Sequence, residues 1–491
     1  MKPYVMAVDD GTTGIRAILF DHDAKVVAQS YEELHQYFPQ SGWCEQDPVE
    51  IWEKAKKVMK KTVKNAQIDA KQIKAIGIAT QRSTNLLWDK QTGKPVYNAI
   101  TWQDTRTADL CNTLEKTPKM KTVRGIGKAT KAMSQVVKGI QHTKTGARLI
   151  TTSTLSLPAA SSLAHTRWIM DEVEKASDLR KQHRLLCGTI DTWLIWNMTN
   201  GMVHATDFSN ASTSGMFDMY TESWSDFLLD IAMVPSDILP VVKETNGDFG
   251  LLHKKILGVE IPLCSAVADQ QAALFAEGCF HPGDVKCTNG TGSFIDMNVG
   301  NTPPPSLHRL LPLVAWKING KTTYMLEGMI NTTGSAVQWL KDNLHIIKDA
   351  EQSDEMASAV NSTEGVYFVP SKEVNKTKID QTVTKQAINA IKALTSENQF
   401  QAIKILLDKN NLLTLSPVFT TIMRSTRSIY NELENYGKDL VDNSLLKLLS
   451  DQSYLSKIEL NLNYIIQILS VRHSQEKEEL FVKLFETGTG H

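Results

Sequence analysis

A chain of 491 residues, with 42% hydrophobic and 22% charged side chains, has room for roughly two to four buried cores, which excludes a disordered, collagen-like or staple-dependent protein. Lys and Arg number 53 against 54 Asp and Glu, so there is no global basic field to hold a nucleic-acid backbone. The six cysteines have no C-x-x-C spacing, which argues against a disulfide framework or zinc site and for a reducing compartment. With no apolar run of about 18 residues and no leader-like pattern, the chain reads as cytoplasmic.

In chain order, Tyr4 to Val8 reads as a strand, Asp9-Asp10-Gly11-Thr12-Thr13-Gly14 as a turn, and Ile15 to Phe20 as the returning strand. Such a turn fits a plain hairpin. It equally fits a phosphate cradle of backbone N–H groups and threonine hydroxyls, with Asp9 placed to hold Mg²⁺ through water. Ile76 to Thr80 then leads into Gln81-Arg82, and Asn98 to Thr101 into Trp102-Gln103-Asp104. Arg82 can hydrogen-bond a polyol and Trp102 can cover its carbon face, or each can be structural.

Residues 116 to 170 carry ten Lys or Arg and no Asp or Glu, which fits a solvated surface or an anion-binding face. Further on, Ile261 to Ala268 is an apolar strand ending in Asp269-Gln270-Gln271. A carboxylate at a strand's carboxyl end can take the proton of an attacking hydroxyl, or it can cap the helix that follows. A second hairpin, Val285 to Thr288, then Asn289-Gly290-Thr291-Gly292, then Ser293 to Val299, repeats the pattern of the first and points to a duplicated α/β fold around a nucleotide cleft. Signatures of P-loop, Rossmann, α/β-hydrolase and zinc-protease chemistry are absent from the sequence.

Composition changes near residue 370. All ten tryptophans and all six cysteines precede it, and glycine is sparse after it. Apolar residues at helical spacing, as in Tyr454, Ile458, Leu462, Ile465 and Leu469, predict that 371–491 is all-helical. Amphipathic helices of this kind are expected to bury against one another or against a protein partner, and a homo-oligomer of the whole chain is also open.

Together these blocks resemble the FGGY carbohydrate kinases and, within them, the glycerol kinases. The resemblance runs through Asp9–Arg16, Phe38–Trp43, Gln81-Arg82, Tyr97–Asp104, Gly188–Leu194, Ala268–Phe275, Gly290-Thr291-Gly292 and Gly365–Pro370. Ala205 to Thr213 and the basic stretch before it most resemble an animal branch of the glycerol kinases.

The resemblance implies an actin-like ATPase fold of two RNase H-like domains: 1–255 for substrate, 256–370 as a partial nucleotide-binding domain, with 371–491 a helical addition. It implies ATP and Mg²⁺ as cofactors and glycerol or a related small polyol as substrate. It makes Asp269 the base; Arg82, Trp102, Gln270 and Phe294 the polyol site; Thr12, Thr13, Gly14, Arg16, Thr291, Gly334 and Gln338 the nucleotide site; and Asp9 the metal residue.

Three departures accompany it. Ser83 stands where glycerol kinases have Glu, Ala160 falls where they have a pocket tyrosine, and the adenosine-binding Asp-Gly-Gly segment has no counterpart. The departures leave room for an alternative: a catalytically inactive kinase-like protein whose helical tail binds a partner.

Overall fold

The structure is a computed structural model that describes residues 3–137, 139–290, 292–306, 310–330, 333–342, 345, 347–360, 367–369 and 420–422. It divides into two compact units, one of Met1–Lys286 with Asp296–Glu327, the other of Cys287–Ile295 with Gly328–His491.

The first unit is built on a six-stranded sheet ordered Leu251–Leu252, Ile261–Ala268, Ile73–Thr80, Tyr4–Asp10, Gly14–Phe20, Val26–Glu33. Period-two alternation decides which side chains go inside: Met6, Val8, Ile15, Ala17, Leu19, Ile76 and Ile78 are all buried in one core. The helix Pro48–Ala66 covers this core. Its start is set by the Asp47 carboxylate, which accepts the Val49 N–H, and by Pro48 in the first turn; it ends at Gln67 in a left-handed conformation. Ile51, Ala55, Val58 and Met59 recur at three- and four-residue intervals, and all four are fully buried. Trp88 and Trp193 meet edge to face in the same core, with ring centroids 5.4 Å apart.

Three of the six strands, Tyr4–Asp10, Ile73–Thr80 and Ile261–Ala268, run parallel. Asp10 and Ala268 are both register partners of Thr80. Their carboxyl ends are therefore level, and the residues that follow, Gln81, Arg82 and Asp269, emerge at the same edge as Asp9 and Asp10. Open α/β sheets bind ligands at this edge.

The basic stretch folds as the helices Pro118–Val136 and Lys144–Thr152, followed by Ser162–Glu172. Lys116, Lys119, Lys121, Lys128 and Lys144 are exposed, while Met120, Ala147 and Ile150 turn inward, the solvated-surface arrangement. The first two helices approach so closely that a Cβ at Gly127 would lie 2.3 Å from the Ser153 nitrogen, so glycine is required there.

In the second unit, the helices Gly334–Asp342 and Ala350–Ser358 are described, and Tyr367–Val369 pairs antiparallel with Thr420–Ile422. The all-helical expectation for 371–491 falls outside the described residues except at this last strand. There three β-branched residues are extended rather than helical, as their stiff side chains favour.

Candidate active site

Both predicted hairpins form. The first joins strands Tyr4–Asp10 and Gly14–Phe20, with Asp9 opposite Arg16 in the register. Its turn is closed by the Gly11 N–H donating to the Gly14 carbonyl at 3.0 Å. The Thr12 carbonyl accepts from Gln46 Nε2 at 2.8 Å and Gln36 Nε2 at 3.2 Å, and the Thr13 carbonyl from the Leu34 N–H at 2.9 Å. With these carbonyls engaged from behind, the turn is rigid. Gly14 lets the Tyr31 ring lie against the turn, since a Cβ there would lie 2.1 Å from the Tyr31 hydroxyl oxygen and displace that exposed side chain. Trp102 Nε1 donates to Thr12 Oγ1 at 2.9 Å, so the indole expected to cover a polyol is tied to the turn expected to hold phosphate.

At the carboxyl edge of the sheet, Asp269 opens the helix Asp269–Ala276 as its first residue. Ala268 occupies the cap position and no side-chain cap bond is made, which leaves the capping alternative without its hydrogen bond. Asp269 Oδ1 accepts the Gln270 N–H at 2.7 Å and lies 3.7 Å from Arg82 Nε. Its Oδ2 has no hydrogen-bond partner among the described residues, and the side chain is 33% exposed, so one oxygen is open to an incoming hydroxyl. Burial raises its pKa above the ordinary carboxylate value, with Arg82 pulling the other way.

Arg82 is held by Glu327, whose Oε2 is 2.6 Å from Arg82 Nη1. Both are largely buried, with side chains 10% and 3% exposed. Close by, Lys286 Nζ lies 2.7 Å from Asp296 Oδ2 and donates to Gln270 Oε1 at 2.7 Å. Desolvation pushes Asp296 up to about 7, and Glu327 adds to that shift.

Asp9 pairs with Arg16 at 3.0 Å and is raised by burial, partly offset by that arginine. Asp10, fully buried, accepts from Gln81 Nε2 at 3.0 Å through Oδ2, while Oδ1 has no partner among the described residues. Burial drives Asp10 up to about 8, and Asp9 and Asp269 repel it further. Asp9, Asp10 and Asp269 repel one another at one sheet edge, and Asp10 and Asp269 each keep an oxygen with no partner among the described residues, donor chemistry that a divalent cation would satisfy.

Ser83 adopts a left-handed backbone with φ 61°, and its hydroxyl donates to the Thr213 carbonyl at 2.9 Å. It is therefore held by protein rather than presented to a ligand. Ala160 sits in a turn whose neighbour Ala159 accepts from Thr107 Oγ1 at 2.7 Å.

Of the second-hairpin residues, Thr291 lies outside the described ones. The turn brings Gly290 to the start of the helix Gly334–Asp342: the Gly290 carbonyl accepts the Gly334 N–H at 2.9 Å and Thr333 Oγ1 at 3.2 Å. Phe294 is half-buried on the returning strand, and Gln338 donates to Asp342 at 2.6 Å.

Sequence reasoning missed Asp10, Lys286, Asp296 and Glu327. For Lys286, Asp296 and Glu327 the signal was a charge inside a strand-like run, as in Ser293–Gly300 and Lys321–Ile330. It also missed Arg106, fully buried between Trp43 and Trp168, which joins Glu45 and Asp104 at 2.8 Å each and so fastens the Trp43 loop to the Trp102 loop.

A model of the amino-terminal domain of the FGGY family of carbohydrate kinases matches residues 4–138 and 126–276. Glycerol kinase of Caldanaerobacter subterraneus subsp. tengcongensis is 45% identical over 371 residues, which span 76% of this chain and 69% of the relative. The chain belongs to the FGGY family of carbohydrate kinases. Glycerol kinase 2 of Thermotoga maritima is 44% identical over 368 residues, spanning 75% of this chain and 69% of that relative. Among solved structures, Plasmodium falciparum glycerol kinase with ADP is similar at a TM-score of 0.62 and 22% identity, covering 90% of this chain and 99% of that one. Xylulose kinase from Rhodospirillum rubrum is similar at 0.58 and 20%, covering 74% and 69%. These likenesses establish the mixed α/β fold of FGGY sugar kinases for this chain. Among the described residues no helix is long and apolar enough to cross a membrane.

Proposed function

We propose that this FGGY kinase phosphorylates glycerol with ATP, giving glycerol 3-phosphate and ADP. The observation that carries this reading is the level carboxyl edge of three parallel strands, which gathers Asp9, Arg82 and Asp269 in a chain 45% identical to a glycerol kinase.

In this reading a terminal hydroxyl of glycerol attacks the γ-phosphorus. As the new O–P bond forms, Asp269 takes the hydroxyl proton on Oδ2, and the bond to the bridging oxygen breaks to release ADP. Burial makes Asp269 a stronger base than a solvated aspartate, and Arg82 keeps it ionised. Arg82, anchored by Glu327, and Gln270, anchored by Lys286, hold the polyol hydroxyls, with Trp102 and Phe294 against its carbon side. Thr12, Thr13, Gly14 and Arg16 are the residues proposed for the phosphate oxygens, and Thr291, Gly334 and Gln338 those proposed for the rest of the nucleotide. Asp9 would hold Mg²⁺, which would neutralise charge on the phosphates when bound.

The test is glycerol-dependent ADP release by the purified full chain with and without Mg²⁺. Turnover that requires both supports the assignment; ADP release indifferent to glycerol rejects it.

A further inference from the structure

We infer that the buried pair Lys286–Asp296 is a positioning device for the side-chain amide of Gln270. It rests on the reading of Gln270 as a polyol-facing residue. Lys286 and Asp296 sit at equal distances from the turn on the two strands of the second hairpin, and they are 5% and 0% exposed. A buried ion pair is rarely a net gain in stability over apolar residues of similar volume, so its stabilising value alone accounts poorly for it.

The geometry supplies the missing role. An ammonium has three donors, and three acceptors stand within reach of Lys286 Nζ: Asp296 Oδ2 at 2.7 Å, Gln270 Oε1 at 2.7 Å and the Gln270 carbonyl at 3.2 Å. Two of the three belong to Gln270, one on its backbone and one on its side chain. Because an ammonium only donates, the oxygen of the amide must face Lys286, and Nε2 is turned the other way. Nε2 donates to no described residue, which leaves it as a donor for a ligand hydroxyl. Asp296 carries the countercharge that keeps the ammonium in place. Lys286 and Asp296 touch no reacting atom in this arrangement; they act through Gln270.

The test is Lys286→Met/Asp296→Leu, which removes both charges together and avoids stranding one of them. The variant is expected to keep its thermal midpoint within a few degrees, while its dissociation constant for glycerol, measured by calorimetry, rises about tenfold or more, the range for a lost charge-assisted contact. In a Gln270→Ala background the same replacement is expected to add nothing, since the two act as one unit. An affinity loss of equal size with and without Gln270 would overturn the inference. So would a crystal structure of the wild-type protein grown in glycerol in which Gln270 Oε1 turns away from Lys286. That structure decides the matter even where the double variant does not fold. A wild type that binds no glycerol refutes the proposed substrate, while the orientation of Gln270 still tests the positioning pair on its own.

Discussion

Arg82 and Glu327 form a buried ion pair of 2.6 Å, and the same guanidinium stands 3.7 Å from Asp269. One arginine thus links the proposed base to a carboxylate on the strand Lys321–Ile330. Desolvation works against the charge on Arg82, but Glu327, Asp269 and Asp296 together outweigh it and raise its pKa.

Arg82→Met is therefore expected to cost ~3–5 kcal/mol of stability by leaving Glu327 buried without its cation. Urea unfolding measures this. The double replacement Arg82→Met/Glu327→Leu should recover a large part of the loss, and a single variant as stable as the wild type would contradict the pairing.

Asp269→Asn separates the two roles open to that residue. As a base, Asp269 is worth about two to four orders of magnitude in kcat. As a helix cap it would be worth ~1 kcal/mol of stability. Since the cap position belongs to Ala268, the expected outcome is a large fall in kcat with stability at pH 7 unchanged or slightly raised. Steady-state kinetics and thermal unfolding of the one variant decide between them.

His165 and His204 predict an acid limb in the stability profile. Burial lowers both from 6.5 to about 4, so between those values the folded chain binds fewer protons than the unfolded one. Their contribution is fully present above pH 6.5 and is lost as pH falls toward 4, by ~2–3 kcal/mol for each. The variant His165→Phe should flatten this part of the profile when unfolding is followed from pH 7 to 4.5; an unchanged slope would show that His165 titrates normally.

Ser83 bears on affinity for the substrate. Held to the Thr213 carbonyl, it offers no carboxylate to a polyol, so glycerol should bind weakly, with a raised KM. A hydrogen bond to a charged group is worth ~1.5–3 kcal/mol, and Ser83→Glu should lower KM about tenfold or more if the φ of 61° relaxes on substitution. A wild-type KM in the micromolar range would contradict the weakness attributed to Ser83.

Much of this site was legible in the sequence because its residues end strands. The apolar run Ile261–Ala268 stops where Asp269 begins, and both hairpins are marked by Gly/Thr turns between alternating strands. Glu327, Asp296 and Lys286 were not legible. A lone charge in a strand ordinarily faces water, and only tertiary structure buries both faces of Ser293–Gly300 and brings Arg82 to Glu327. Asp10 was hidden by its own turn, since Asp-Gly marks a hairpin whether or not the aspartate is buried. The capping alternative for Asp269 turned on a single residue of helix boundary, which local pattern does not resolve.

The most direct measurement of the central claim is ³¹P NMR of ATP, Mg²⁺ and glycerol incubated with the full chain and, in parallel, with Asp269→Asn. The predicted result is a growing phosphomonoester resonance of glycerol 3-phosphate with the wild type, slowed at least about a hundredfold in the variant. No glycerol 3-phosphate from the wild type, or equal rates from both proteins, would contradict the account.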